Sequence, residues 1–242
     1  FEPPSTGDFV SSVNTGGSWT HKGVNRPANG LARNSSGVVI VVGGDGRMIR
    51  RNLDATYTSF GPGEPQLGYA ASSFLDANVG VVLDSDGFNY MFGDVATYFS
   101  STNDGGHTWS TSTFGSAQCL DVACLSTTEM IAVGLQYSQG TVLRSINGGA
   151  NWTSLWVGTS PAEVRAVAAG GSTKAIAVGS GGTALIIDNG VVTPVATGGS
   201  NFVDVASRAK PKPDTPVAGG SDSVLVEDGL FNDAELLRQL NE

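Results

Sequence analysis

The sequence predicts an all-β protein, a β-propeller whose four-stranded antiparallel blades each use about 40 residues. Three observations predict it. Glycine makes up 34 of 242 residues, about twice the usual ~7%, and it is scattered among Val, Ala, Ser and Thr with no Gly-X-Y period. That composition suits many short strands joined by tight turns and leaves room for few long helices. A turn phrase ending in Trp recurs along the chain, and a strand phrase ending in Gly recurs in step with it.

The turn phrase is clearest at Thr102-Asn103-Asp104-Gly105-Gly106-His107-Thr108-Trp109 and at Ser145-Ile146-Asn147-Gly148-Gly149-Ala150-Asn151-Trp152. A third copy runs from Ser12 to Trp19, and weaker ones lie at Asn52 to Tyr57, Asp188 to Gly190 and Glu227 to Gly229. Anchored on Asn14, Asn52, Asp104, Asn147, Asp188 and Glu227, the steps are 38, 52, 43, 41 and 39 residues. Each but the second is about one blade long. In a hairpin, the Asp or Asn is expected to bond its own backbone two residues on, and Gly supplies positive φ. The Trp begins the return strand and folds over the turn. Trp19, Asp104, Trp109, Asn147 and Trp152 are therefore expected to be structural.

The strand phrase precedes each turn. Its copies are Val41-Val42-Gly43-Gly44, Ala132-Val133-Gly134, Ala177-Val178-Gly179 and Val217-Ala218-Gly219; the blade holding Val81 to Gly87 lacks the first Gly. Five sets of inner strands can be counted, beginning near Leu31, Tyr69, Cys119, Val164 and Phe202. Five blades are therefore expected, with six as the alternative. The hairpin at Phe9 to Lys22 has no inner strands of its own, so it is read as completing the last blade, which leaves no exposed sheet edge. Residues 1–230 form this one domain. Residues 231–242 read as a short helix, with Asn232 as N-cap, Glu235 in a capping box and Phe231 stapled to Leu236.

These residues carry a resemblance. The chain resembles the Asp-box propellers, also called BNR-repeat proteins, over roughly Phe9 to Phe231. Its V-G-x-x-G and N-G-G-x-x-W phrases are similar to those of photosystem II stability and assembly factor-like propellers. The resemblance implies the fold far more strongly than an activity, because unrelated functions share propellers. Sialidases of the Asp-box group bind a carboxylate with three arginines and carry an Arg-Ile-Pro signature. Arginine is sparse here and that signature has no counterpart, so no enzyme activity and no catalytic residue is expected.

With 13 basic and 22 acidic residues the net charge is -9, which argues against nucleic acid, whose binding relies on clustered Lys and Arg. The longest purely apolar run, Val38 to Val42, is far short of the ~20 residues of a membrane span. No membrane insertion is expected. Cys119 and Cys124 stand five apart, which on a regular strand places them on opposite faces. Free buried thiols are expected rather than a disulfide or a zinc site. His21 and His107 read as surface residues, and Lys210 to Pro213 as a stiff solvated loop. Asp84-Ser85-Asp86-Gly87 opens like a calcium loop, but Asn89 and Val95 stand where that loop needs Gly and Glu. A turn without metal is the better reading, and no cofactor is expected.

The longest repeat step contains the aromatic segment Phe88 to Phe99. Tyr90, Phe92, Tyr98 and Phe99 are the candidate binding residues, because aromatic rings combine large contact area with few rotatable bonds. The competing expectation is that they pack within their own blade. The functional expectation is a non-catalytic binding or structural module in a larger assembly, with a protein partner or, alternatively, a glycan. An extracellular or virion-surface setting, such as a phage appendage, suits the composition; a photosystem-type assembly factor and a glycan-binding propeller are the alternatives.

Overall fold

The computed structural model describes residues 69–84, 96–159, 162–197 and 201–208, together with the strands at 8–11, 20–23, 28–33, 39–43, 48–51, 57–60 and 223–227. The strand pair β1 (Asp8–Ser11) and β2 (Thr20–Gly23) forms an antiparallel hairpin, with Phe9 opposite Lys22. Four sheets of four antiparallel strands follow. The first blade holds β3 (Ala28–Arg33), β4 (Val39–Gly43), β5 (Met48–Arg51) and β6 (Tyr57–Phe60). The second holds β7 (Tyr69–Phe74), β8 (Gly80–Asp84), β9 (Ala96–Thr102) and β10 (Ser110–Gly115). The third holds β11 (Ala117–Cys124), β12 (Met130–Gln136), β13 (Gln139–Ser145) and β14 (Thr153–Val157). The fourth holds β15 (Val164–Ala169), β16 (Lys174–Gly179), β17 (Ala184–Asp188) and β18 (Val191–Pro194).

Strand order follows chain order within each blade. The first strands β3, β7, β11 and β15, followed by β19 (Asp204–Arg208), pack side by side in that sequence. They form an arc of inner strands, as in a propeller, at the five places where the sequence places them. Both faces of an interior blade are covered by neighbours, so its strands need not alternate apolar with polar. β12 shows this. Met130 and Ala132 pack toward the second blade, Ile131 and Val133 toward the fourth, and all four are buried. The core is thus a series of layers between blades, while the outer strand β10 has only exposed and half-buried residues.

One irregularity recurs in every complete blade. The inner strand carries a register shift at Ala28/Gly30, Tyr69/Ala71, Cys119/Asp121 and Val164/Ala166. The residue before the shift lies opposite Gly43, Asp84, Gly134 and Gly179 respectively, which are the ends of the recurring strand phrase. A Cβ on Gly134 would strike the Gln118 carbonyl, and one on Gly179 the Glu163 carbonyl. The phrase ends in Gly because the bulged strand's backbone lies against it. In the second blade Asp84 takes this position and is buried.

The bulge corrects the expectation for the cysteines. The extra residue reverses the side-chain parity, so Cys119 and Cys124 share one face and one hydrophobic layer. Both are free and buried, and burial pushes each thiol up to about 12. A second correction concerns the chain's last strands. β19 and β20 (Ser223–Glu227) pair in parallel, Val205 opposite Val224, where the sequence predicts antiparallel blades throughout. Parallel neighbours cannot be joined by a tight turn; residues 209–222, including the expected Gly219 reversal, lie outside the described residues. So does the expected helix at 231–242. β1–β2 and β19–β20 are separate two-stranded sheets, and their union in one closing blade stands as an expectation.

Candidate functional site

The alternation of strands divides the connections between two rims. On one rim lie the turns around residues 75–79, 103–109, 125–129, 146–152, 170–173 and 189–190. On the other lie Asp84, Ala96, the turn at 137–138 and the links between successive blades.

The first rim is built on the Trp-containing turns. In the second blade Asp104 Oδ1 accepts from the Thr108 backbone N–H at 2.9 Å, and Asp104 Oδ2 accepts from the Thr108 hydroxyl at 2.6 Å. Thr102 Oγ1 accepts from the N–H of Gly106 at 2.8 Å and that of Asp104 at 3.3 Å, and donates to Asp104 Oδ1. The backbone two residues on is therefore held by the first-position hydroxyl, and the Asp reaches four residues on, which corrects the expected role. The third blade repeats the scheme. Asn147 Oδ1 accepts from Asn151 N–H at 2.9 Å, and Ser145 Oγ accepts from Gly149 N–H at 2.9 Å. The paired glycines have φ of 74° and 89° at Gly105 and Gly106, and 70° and 87° at Gly148 and Gly149, where a side chain would be strained. The Thr108 hydroxyl and N–H hold the Asp104 carboxyl well below the usual carboxylate range.

Each turn is also tied to the inner turn of its blade. Gly105 N–H donates to Asn78 O, Gly148 N–H to Thr128 O, and Asn189 N–H to Thr173 O in the weaker copy at Asp188 to Gly190. The Trp rings face the preceding joint rather than lying over their own turns alone. Trp109 donates from Nε1 to Gly106 O at 2.9 Å and meets Phe74 edge to face, beside Ile40, Val42 and Val82 of the first joint. Trp152 is 7% exposed and stacks on Phe99 of the second blade at 4.0 Å between ring centroids. Its Nε1 finds no partner among the described residues; the Gly149 carbonyl, counterpart of Gly106 O, accepts from the Ser112 hydroxyl at 2.6 Å instead. Trp19 lies outside the described residues.

Between the turns of the second and third blades is a cavity of about 350 Å³. Its walls include Asn103, Thr108 and Ser110 on one side and Thr127, Asn147 and Gly148 on the other. Nothing in the repeat drew attention to this space, because it is created by two turns 43 residues apart in sequence.

On the opposite rim the aromatic candidates separate. Phe99 is fully buried under Trp152 and belongs to the core, where the sequence offered it as a contact residue. Tyr98, its neighbour on β9, points the other way and is half-buried, opposite Asp84 and Thr113. Tyr90 and Phe92 lie outside the described residues. Among the described residues, the exposed aromatic that the sequence did not single out is Tyr137, 76% accessible in the turn between β12 and β13. Tyr137 and Ser138 both have positive φ, 50° and 64°. A Tyr-Ser pair carries none of the Asn-Gly signature by which such a turn is recognised.

Among the inner strands, Asp121 bridges two blades. Its Oδ2 accepts from Val167 N–H of β15 and its Oδ1 from Val122 N–H, both at 2.8 Å. Burial pushes this carboxyl up to about 6, against the lowering effect of those bonds.

Neither a protein-family model nor a curated protein matches the sequence. Solved structures match in fold. The WD40 propeller domain of Doa1 aligns with a TM-score of 0.57 and 15% identity, over 84% of this chain and 66% of that one. A chain of a Nidogen/Laminin complex aligns at 0.55 and 11%, over 78% and 73%. YCF48 from Cyanidioschyzon merolae aligns at 0.53 and 19%, over 74% and 59%. Propeller enzymes are among the other matches. The chain is a β-propeller, and it spans between 54% and 59% of the YCF48 structures it matches.

Proposed function

We propose that this chain is a non-catalytic propeller of the Asp-box type that binds a protein partner, within a larger assembly, through the rim bearing Tyr137. Tyr137 carries the reading. A bulky residue at left-handed φ costs on the order of 1 kcal/mol, and with 76% of its surface in water the ring recovers little of that by packing. Strain without a packing return supports a use outside the fold. Tyr98 and the connection leaving Asp84, on which Tyr90 and Phe92 fall, begin at the same rim. The motif side chains Thr102, Asp104, Thr108 and Ser145 are engaged in holding turns, which supports a structural rather than a chemical role for them. The matched Nidogen/Laminin structure is itself a protein complex.

The net charge of -9 and the Gly-, Ser- and Thr-rich composition suit an extracellular or virion-surface assembly. The phrases shared with photosystem II assembly factor-like propellers, and the fold match to YCF48, support an assembly-factor role as the second reading. A photo-crosslinking residue placed at position 137 in the native assembly tests both. One discrete cross-linked polypeptide is expected, and a capsid or tail protein favours the first reading whereas a photosystem subunit favours the second. The double change Tyr137→Asn with Ser138→Gly supplies the turn with its preferred residues, so it should raise the melting temperature while abolishing co-purification of the polypeptide that the cross-link identifies. Retained partner binding in that variant would remove this rim as the site.

A further inference from the structure

The cavity between the second and third Trp turns lies on the rim opposite Tyr137, and the partner-binding reading makes no use of it. We propose that it binds a neutral saccharide, one or two sugar rings of a glycan. Its volume of about 350 Å³ falls at the small end of ligand pockets, roughly 300–1,000 Å³. No described residue lining it is ionisable, in a chain of net charge -9. A charged ligand therefore meets no counter-charge. Its aliphatic side chains are Val79 and Ala150, beside the methyl groups of its threonines. The walls are hydroxyls and carboxamides, which both donate and accept and so match the paired donor and acceptor character of sugar hydroxyls.

A comparison of the two turns shows where a ligand would bind. Asp104 and Asn147 do the same structural work through Oδ1. In the second blade the remaining oxygen of Asp104 is satisfied by the Thr108 hydroxyl. In the third blade Asn151 replaces that Thr, and the Nδ2 group of Asn147, which lines the cavity, makes no hydrogen bond to the described chain. Asn147 is thus held rigidly by its oxygen with two N–H donors left over. Thr127, across from it, likewise has a hydroxyl with no partner among the described residues. Gly148 keeps the space open: at its φ of 70° a side chain is strained, and a Cβ would approach Thr127 O to 3.3 Å. A preformed cavity with oriented, unspent donors needs little reorganisation to take a hydroxylated ring.

The test is titration of the intact chain with glucose, galactose, N-acetylglucosamine and their β1,4-linked disaccharides, read by saturation-transfer NMR and calorimetry. At least one sugar should saturate. Asn147→Asp keeps the oxygen that holds the turn, as Asp104 does, but removes the donors and adds charge; Thr127→Val removes the opposing hydroxyl. Each should weaken binding at least tenfold with unchanged melting, whereas the Tyr137→Asn, Ser138→Gly variant should bind sugar normally, which separates this site from the partner rim. Absence of any saturable binding below about 10 mM overturns the proposal, and so does a sugar bound equally well by both cavity variants. Should Asn147→Asp melt early, Thr127→Val alone decides.

Discussion

Trp109 and Trp152 occupy the same place in successive copies of one turn and yet are held differently. Trp109 keeps its indole N–H bonded and is half-buried; Trp152 gives up that bond and slides under the neighbouring blade onto Phe99. Trp152→Ala should therefore cost about 3–5 kcal/mol in denaturant unfolding. Trp109→Ala should cost roughly 2 kcal/mol, since less of its surface is withdrawn from water. Quenching by acrylamide should follow the same order, with Trp152 the more shielded. Asp121 gives a pH dependence of opposite sign to an ordinary ion-paired carboxylate. Its pKa rises from 3.8 in the unfolded chain to about 6 in the fold, so its contribution is fully present below pH 3.8 and is lost as pH rises through about 6. Melting temperature should fall across that window in the wild type relative to Asp121→Asn, and parallel curves for the two would refute the assignment. The turn residues were legible in sequence because each step of the turn demands a particular chemistry: a hydroxyl, a short acceptor, two glycines. The partner of each Trp ring was not, since Phe99 lies in another blade and only packing brings it there.

At the scale of strands, the recurring Val-Gly phrase was visible as a pattern but its cause was not. The cause is a bulge on the adjacent inner strand, and a bulge leaves no mark on hydrophobic periodicity when both faces are buried. The same hidden residue turned Cys119 onto the face of Cys124, against simple counting. Gly134→Ala drives a methyl group into the Gln118 carbonyl and should destabilise by about 1–3 kcal/mol. Asp84→Gly, which gives the second blade the phrase the other blades share, reports whether that blade tolerates it; the expected outcome is a folded chain, checked by circular dichroism and melting. The aromatic segment illustrates the limit of composition as a guide. On a strand inside a propeller, adjacent rings such as Tyr98 and Phe99 face different layers, and only the joint geometry decides which of them is core.

For the molecule as a whole, the propeller was legible because the repeat step sets the amount of chain per blade, and the five inner strands fall where the phrases place them. Ring closure was less so, because pairing between the two ends of a chain has no local signature. If the hairpin β1–β2 completes the last blade, removal of residues 1–22 should lower the melting temperature of the entire domain and promote association through the bared edge. Unchanged melting and solubility would count against closure. The winding of each blade has a further consequence. Because chain order within a blade is also radial order, from the enclosed second strand to the solvated fourth, amide hydrogen exchange plotted against residue number should rise and fall like a saw blade. Protection should peak at β8, β12 and β16 and collapse at β10, β14 and β18, so that the repeat first seen as recurring letters reappears as a rhythm of local opening.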